Sequence, residues 1–533
     1  MTVPDDAAEA VDPARAAARP PRPRDGAIAG AVAVTVAFAV GEVLAATTSA
    51  LVSPIEGVGD AVVAVSPPPL TDAAIAVLGP FNVLALQIGI VLVALGLGAL
   101  VGRLGTRRAL AARLLFVGIA LAGGAVAAAA PAAEVLATLL PAATGALVGM
   151  AALWALLARA RSPASPPVDP AASPHGIDRR GFVRMAATFF GVSVVGAGAV
   201  RSLSAGARAE PGEIAELPEP NHSLPAASTF EQPRIDEGLS DLWTPNDEFY
   251  IVDTAVRTPH VEPRGWSLTI DGRVDNPIEL SYDELLDLAG TEADILLTCV
   301  SNPVGGGEAG TARWQGVRLG ELLDRAGLAS DAEQIVGESV EGFTAGFPVE
   351  AALDGRDALV AVGMNGEPLP RAHGFPARLV VAGLYGYVSA TKWLERIHVT
   401  GWNEFDGFWV PRGWAKEGPV RIQSRIDTPH DRANVVTGTV PVGGVAWAPL
   451  DGIERVEVSV DGGDWQPADL GPEIGGAAWR QWTWQWENAT AGTHELTVRA
   501  TDATGEVQTA EEGPARPDGA TGRHTVTVRV EEA

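Results

Sequence analysis

Between residues 27 and 158 the chain is almost free of charge except in short clusters, a pattern that only a lipid surrounding satisfies. Four apolar stretches, at 27–52, 73–101, 114–130 and 135–158, are long enough or nearly so to cross ~30 Å of hydrocarbon at 1.5 Å per residue, the third being the shortest. Arg15, Arg19, Arg22 and Arg24 precede the first stretch, Arg103, Arg107, Arg108 and Arg113 separate the second from the third, and Arg159 and Arg161 follow the fourth. The other connections carry Glu56, Asp60, Asp72 and Glu134 and no basic residue, so the positive-inside rule places both ends of the unit in the cytoplasm. A wholly soluble protein is excluded. No His lies in these stretches, which excludes haem held by paired intramembrane histidines. Glu42, inside the first stretch, is expensive there and invites either a functional role or a bond to a neighbouring helix.

Domain boundaries follow from these shifts in texture. Residues 1–26 read as a cytoplasmic tail, 27–160 as a four-helix transmembrane domain, 161–178 as a Pro/Ser-rich cytoplasmic linker and 179–209 as an export signal or fifth span. In the last of these, Arg179-Arg180-Gly181-Phe182-Val183 precedes a modestly apolar run to Val200, which resembles a twin-arginine signal; an ordinary fifth span with basic flanks gives the same topology. Ala205-Gly206-Ala207 offers a cleavage site, and an uncleaved anchor fits equally. Either way residues 210–533 lie outside the cytoplasm, beginning with a polar, Pro-rich tether at 210–240. That export route carries folded, cofactor-loaded proteins, so the signal already hints at a cofactor.

The exported part is strongly acidic. Of 38 basic and 65 acidic residues, 1–210 hold 15 and 13, leaving 23 and 52 and hence a charge of −29. Nucleic-acid binding through phosphate neutralisation is excluded. One Cys, Cys299, excludes a disulfide framework, and the absence of CxxC and CxxCH excludes a cysteine-held cluster or covalently attached haem in this chain.

Residues 241–415 read as mixed α/β. Strands are expected at 249–255, 266–270, 358–362, 378–382 and 394–399, and helices at 281–288, opened by a Ser281/Glu284 capping box, and at 319–326. Residues 416–533 carry short alternating strands, among them Val456, Val458 and Val460 running into Asp461-Gly462, and a stripe of Trp482, Trp484 and Trp486. That spacing argues for an all-β immunoglobulin-like sandwich with the tryptophans in its core.

Three Gly-rich segments carry the chemistry: Thr298-Cys299-Val300-Ser301-Asn302 with Ala312-Arg313-Trp314-Gln315-Gly316-Val317-Arg318-Leu319; Met364-Asn365-Gly366-Glu367-Pro368-Leu369-Pro370 leading to His373-Gly374-Phe375-Pro376-Ala377-Arg378; and Ala390-Thr391-Lys392-Trp393-Leu394. A single soft thiolate suits a heavy metal, glycine loops admit a bulky ligand, and His373, Arg378 and Lys392 offer donors and charge to an anionic group. Together they resemble the molybdopterin domain of the sulfite oxidase family, with 416–533 similar to its C-terminal dimerisation domain and the spans similar to its membrane-bound bacterial type.

The resemblance implies a Mo-molybdopterin cofactor with Cys299 as the thiolate ligand of molybdenum. It implies cofactor contacts from His373, Arg378, Ala390, Thr391, Lys392, Asn246, Tyr250 and Ser339, and a homodimer. Where the family carries an Arg-Asn-His run after Tyr250, Ile251-Val252-Asp253-Thr254 stands; where it carries paired arginines after Asn302, Pro303 and Val304 stand. Lost cations disfavour sulfite and favour a neutral or organic substrate, with Arg313 as a partial substitute at the catalytic centre. The expectation is therefore a membrane-anchored, extracytoplasmic molybdenum oxidoreductase transferring an oxygen atom and two electrons, and exchanging electrons with a separate cytochrome or quinone system. Rival readings are a sulfoxide or other oxide reductase, a non-catalytic exported scaffold, and a cysteine hydrolase using Cys299 with His373.

Overall fold

The computed structural model describes residues 21–46, 51–66, 70, 74, 78, 82–128, 135–161, 181–193, 216–221, 223–231, 235, 238–255 and 258–532. It divides into two compact units, Met1–Gly212 and Glu213–Ala533.

The first unit is helical: α1 (Pro23–Ala45), α2 (Pro54–Val65), α3 (Asn82–Gly105), α4 (Ala109–Ala128) and α5 (Val135–Arg161). Four of these, all but α2, are long and apolar enough to cross a membrane. Their registers differ from the expected stretches by a few residues at most ends. The short helix α2 is an addition, and 79–81, before α3, lie outside the described residues. Small residues let backbones touch, as apolar helices in lipid require: a Cβ on Gly30 would collide with the Gly98 carbonyl, and one on Gly102 with the Gly26 carbonyl. Glu42, near the end of α1, accepts a hydrogen bond from Ser53 Oγ at 2.5 Å, and Ser53 also caps α2. Its carboxylate thus bonds to a neighbouring helix. Residues 181–193 form a further helix whose Phe182 and Ala186 are buried with Ala33, Phe116 and Leu156 in this unit's core. The paired Arg179 and Arg180 lie outside the described residues.

The second unit is mixed α/β followed by a sandwich. One five-stranded sheet runs Ile278–Ser281, Ser267–Gly272, Leu394–Thr400, Gln334–Ser339, Thr344–Pro348 in spatial order, antiparallel except where Ser267–Gly272 meets Leu394–Thr400. A second sheet orders Thr291–Thr298, Ala309–Arg318, Ala358–Met364 and Glu367–Pro368, with Arg378–Val381 also paired to Ala358–Met364. The helix Tyr282–Leu288 carries the expected capping box, and Leu319–Ala326 buries Leu319, Leu322, Leu323 and Ala326. Both close over one core that includes Ile295, Leu297, Trp314 and Leu379.

Two expectations are corrected. Residues 249–255 form no strand; Phe249 is instead a buried prop beneath the site described below. The supposed tether is laid along the domain where it is described: Asn221 N donates to Gly290 O at 2.8 Å, Leu224 N to Glu292 at 2.9 Å, and Pro218 O accepts from Gln315 at 2.7 Å. Polar, proline-rich chain serves this because its few backbone groups find partners among side chains of the sheet and the loop before it.

The sandwich packs a four-stranded sheet (Gln423–Thr428, Gly438–Trp447, Arg480–Ala489, Asp469–Leu470) on a five-stranded one (Asn434–Val436, Thr525–Glu531, Gly492–Asp502, Ile453–Val460, Gln466–Pro467). Trp482 and Trp486 are buried between them and Trp484 packs at the margin. Asp461 and Gly462 both have positive φ, 52° and 69°, as the tightest hairpin turn demands. The sandwich joins the α/β part through Leu296, Ala309, Val445, Trp447 and Trp479, whose indole donates to Leu242 O at 2.9 Å.

Candidate active site

Cys299 follows directly on the strand Thr291–Thr298, and a short Gly-rich loop returns the chain to Ala309–Arg318. The loop closes on itself: Cys299 N donates to Glu308 O at 2.9 Å, Asn302 N to Cys299 O at 3.1 Å, and Glu308 N to Asn302 Oδ1 at 2.9 Å. Cys299 Sγ lies 2.9 Å from Ser301 Oγ, which donates to Glu308 Oε2 at 2.9 Å, so the thiol is the donor of the first bond. Burial, then the Glu308 charge, pushes the thiol up to about 11. It is protonated at neutral pH unless a metal displaces the proton.

The sandwich grips the same loop. Arg425 donates to Gly306 O at 2.9 Å and to Ser240 Oγ at 2.8 Å while paired with Asp427 at 2.6 Å. Gly305, at φ 76°, lies so close to the His524 ring that a Cβ would collide with it.

Arg378 starts a buried strand and is itself 5% exposed. Its guanidinium donates only to backbone carbonyls, of His373 at 2.9 Å, Ala390 at 3.3 Å and Leu379 at 3.4 Å, and stands over the Trp314 ring at 5.0 Å. Among the described residues no carboxylate pairs with it, and burial holds it down to about 10. His373 Nε2 meets the Asn246 carbonyl at 2.7 Å and must carry the proton there, leaving Nδ1 as acceptor. Burial lowers His373 to about 4, so the ring is neutral. Lys392 donates to Asp253 at 2.7 Å and to Ala372 O at 3.1 Å, beneath the turn set by Gly374. Thr391 Oγ1 donates to Gly337 O at 3.4 Å and Val340 N to Trp393 O at 2.9 Å, which brings buried Ser339 beside Ala390–Trp393.

Residues 246–253 thread across these groups. Asn246 supports His373, while its own amide is held by Asn365 at 2.9 Å and donates to Met364 O at 3.3 Å. Tyr250 stacks on Phe249 with centroids 5.3 Å apart and couples electrostatically to both Cys299 and Arg378. Asp253 ends the run on Lys392. A Cβ on Gly386 would lie 3.8 Å from both Thr298 O and Tyr250 Oη, so the short helix Gly386–Ser389 that leads into the third segment closes over the first.

The family described as oxidoreductase molybdopterin binding domain matches residues 255–409, and that described as bacterial Ig domain matches 423–498. Sulfite oxidase of Gallus gallus is 33% identical over 315 residues, covering 50% of this chain and 68% of its own length. An uncharacterized oxidoreductase of Bacillus subtilis is 35% identical over 157 residues, 29% of this chain and 74% of the relative. The chain belongs to the sulfite oxidase family.

It carries that family's molybdopterin-binding oxidoreductase domain, and the chain spans about half the length of the mammalian relatives it matches: mitochondrial sulfite oxidase of Mus musculus is 32% identical over 286 residues, 52% of its length. The site agrees with such a cofactor on one physical point. A buried guanidinium with no carboxylate partner is the complement of an anionic group brought in from outside, as a pterin phosphate would be. Among the described residues no cluster of three His, Cys, Asp or Glu could hold a metal ion.

The structure draws Asn246, Tyr250, Cys299, Ser339, His373, Arg378, Ala390, Thr391 and Lys392 into one neighbourhood. It does not bring Arg313 there, and the expectation of a substitute oxyanion ligand is corrected. The Arg313 fork is closed on Asp294, at 2.9 and 2.8 Å, its remaining nitrogen donates to Pro225 O at 2.9 Å, and Trp243 stacks on it at 5.0 Å. Arg313 fastens the 216–225 segment to the sheet. Sequence reasoning missed Asp253, Glu308, Ser301 and Arg425 as partners of the site. Asp253 alone carried a signal, as an acidic residue standing where the family has cations.

Proposed function

We propose that this family member is a membrane-anchored molybdenum oxidoreductase whose catalytic domain lies outside the cytoplasm. It transfers an oxygen atom to or from a substrate other than sulfite and exchanges electrons with a separate membrane or extracytoplasmic partner. The observation carrying the reading is the uncompensated Arg378 guanidinium beside a tyrosine that couples it to the chain's single thiol. When bound, the cofactor supplies the metal centre for oxygen-atom and two-electron exchange.

The residues present would divide the remaining work. Arg378, Lys392, His373 and the Ala390–Thr391 backbone would hold the pterin and its phosphate, with Ser339 at the margin. Cys299 would give its thiolate to the metal, and Asn246 holds His373 in one tautomer. Tyr250, whose hydroxyl burial keeps protonated, can donate a hydrogen bond beside the thiol. The hydroxyl 2.9 Å from the thiol leads to a carboxylate, Glu308, and Pro303 and Val304 follow Asn302, which favours a neutral or organic substrate over sulfite. A reductase drawing electrons from the membrane fits the same geometry. The homodimer is proposed from the sandwich.

Molybdenum and pterin content per chain, on protein purified from its membrane, tests the reading. Near-stoichiometric metal and pterin are expected in wild type. In Cys299→Ser, activity and the thiolate-to-metal absorption are lost, and in Arg378→Gln pterin falls at least tenfold. Exported wild type holding neither metal nor pterin would overturn it.

A further inference from the structure

Glu308 stands beside the thiol. It accepts a 2.9 Å bond from Ser301 Oγ, which lies 2.9 Å from Cys299 Sγ, and it forms no ion pair among the described residues. Its charge is felt at the site: after burial it is the strongest influence raising the thiol, and it raises Tyr250 as well. The loop holding it contributes no cation, since Pro303 and Val304 fill the positions next to Asn302. On the other side of Tyr250, Ile251 and Val252 are 57% and 45% exposed, an apolar edge following directly on the tyrosine.

We propose that Glu308 determines the substrate class: its carboxylate turns oxyanions away from Cys299 and leaves the site to neutral or cationic oxygen donors or acceptors with an apolar body. This rests on the function proposed above and names the substrates of that same site. The physical cause is long-range. Like charges a few ångströms apart beside a buried thiol repel more strongly than in bulk water; Arg425, the cation that reaches this loop at Gly306, is paired with Asp427, and Arg378 and Lys392 would hold the pterin. Ser301 fixes where that charge sits.

The field can be measured without turnover. Cys299 is the chain's single cysteine, so alkylation of the metal-free full chain in detergent reports on that thiol alone. Dividing the rate with neutral iodoacetamide by the rate with anionic iodoacetate cancels the thiolate fraction and leaves the effect of reagent charge. The ratio is expected to fall about tenfold in Glu308→Gln and further in Glu308→Arg, but not in Ser301→Ala, which keeps the carboxylate. On metal-loaded protein, sulfate should inhibit reduction of dimethyl sulfoxide about tenfold more tightly in Glu308→Gln than in wild type. A ratio unchanged by either Glu308 variant would overturn the proposal, as would a thiol that reacts with neither reagent, because the carboxylate would then guard a group no small molecule reaches. A wild type devoid of molybdenum would sink the proposed function instead, while the alkylation ratio would still report the field of Glu308.

Discussion

His373 shows what burial does to one residue and how that can be measured. Its ring is 3% exposed, props Phe249 edge-on at 5.7 Å and donates to Asn246. Its folded value of about 4 lies below the ~6.5 of an unfolded histidine, so the folded state binds fewer protons between those limits. The stability conferred by the neutral ring is complete above about pH 6.5 and is lost as pH falls toward 4, to a total of about 3 kcal/mol. His373→Gln is expected to flatten that slope when thermal midpoints are compared at pH 7 and pH 4.5. His524, lowered for the same reason, keeps part of it. Equal slopes in variant and wild type would contradict this account.

At the scale of elements, what could be read in the sequence was local. Ser281 and Glu284 sit three residues apart, Asp461 and Gly462 side by side, and Trp482, Trp484 and Trp486 within one strand; each carries its own structural instruction. The partners that complete the site are far away in the chain: 139 residues separate Lys392 from Asp253 and 119 separate Arg425 from Gly306. No local pattern encodes such meetings. Residues 249–255 misled for a related reason, since Phe249 and Tyr250 serve facing ring contacts rather than alternate faces of a strand. Arg313 misled because charge near a motif gives no direction, and Asp294 faces it across the sheet. The hold of the sandwich on the thiol loop is testable here. Arg425→Met removes the bond to Gly306 and leaves Asp427, whose side chain is 7% exposed, with only the Ser240 N–H as partner, at a cost of about 3 kcal/mol. Faster alkylation of Cys299 by a neutral reagent should accompany the lowered melting temperature. A stable protein with an unchanged alkylation rate would show that the loop holds its own shape.

For the whole molecule, the side of the membrane on which the second unit lies is decided by the segment that joins it to the helices. Four helices can cross, and the additional helix at 181–193 buries Phe182 and Ala186 among them, as a retained anchor would. If the paired arginines before that helix direct export, replacing Arg179 and Arg180 by Lys should leave residues 213–533 protected from external protease in spheroplasts while the wild-type unit is cut or labelled. Equal accessibility of both would reassign the segment to an ordinary span.

The strip of chain between Leu217 and Pro225 gives anchorage and catalysis different fates. Because Arg313 and Gln315 fasten it to the sheet, a cut between the helix at 181–193 and Leu217 would release the second unit with its clasp still done up. A cut within the strip leaves the protein moored in part but opens the seam beside Asp294. If that unit lies outside the cytoplasm as proposed, shedding and inactivation would be separate events, decided by which side of a short ribbon a protease reaches.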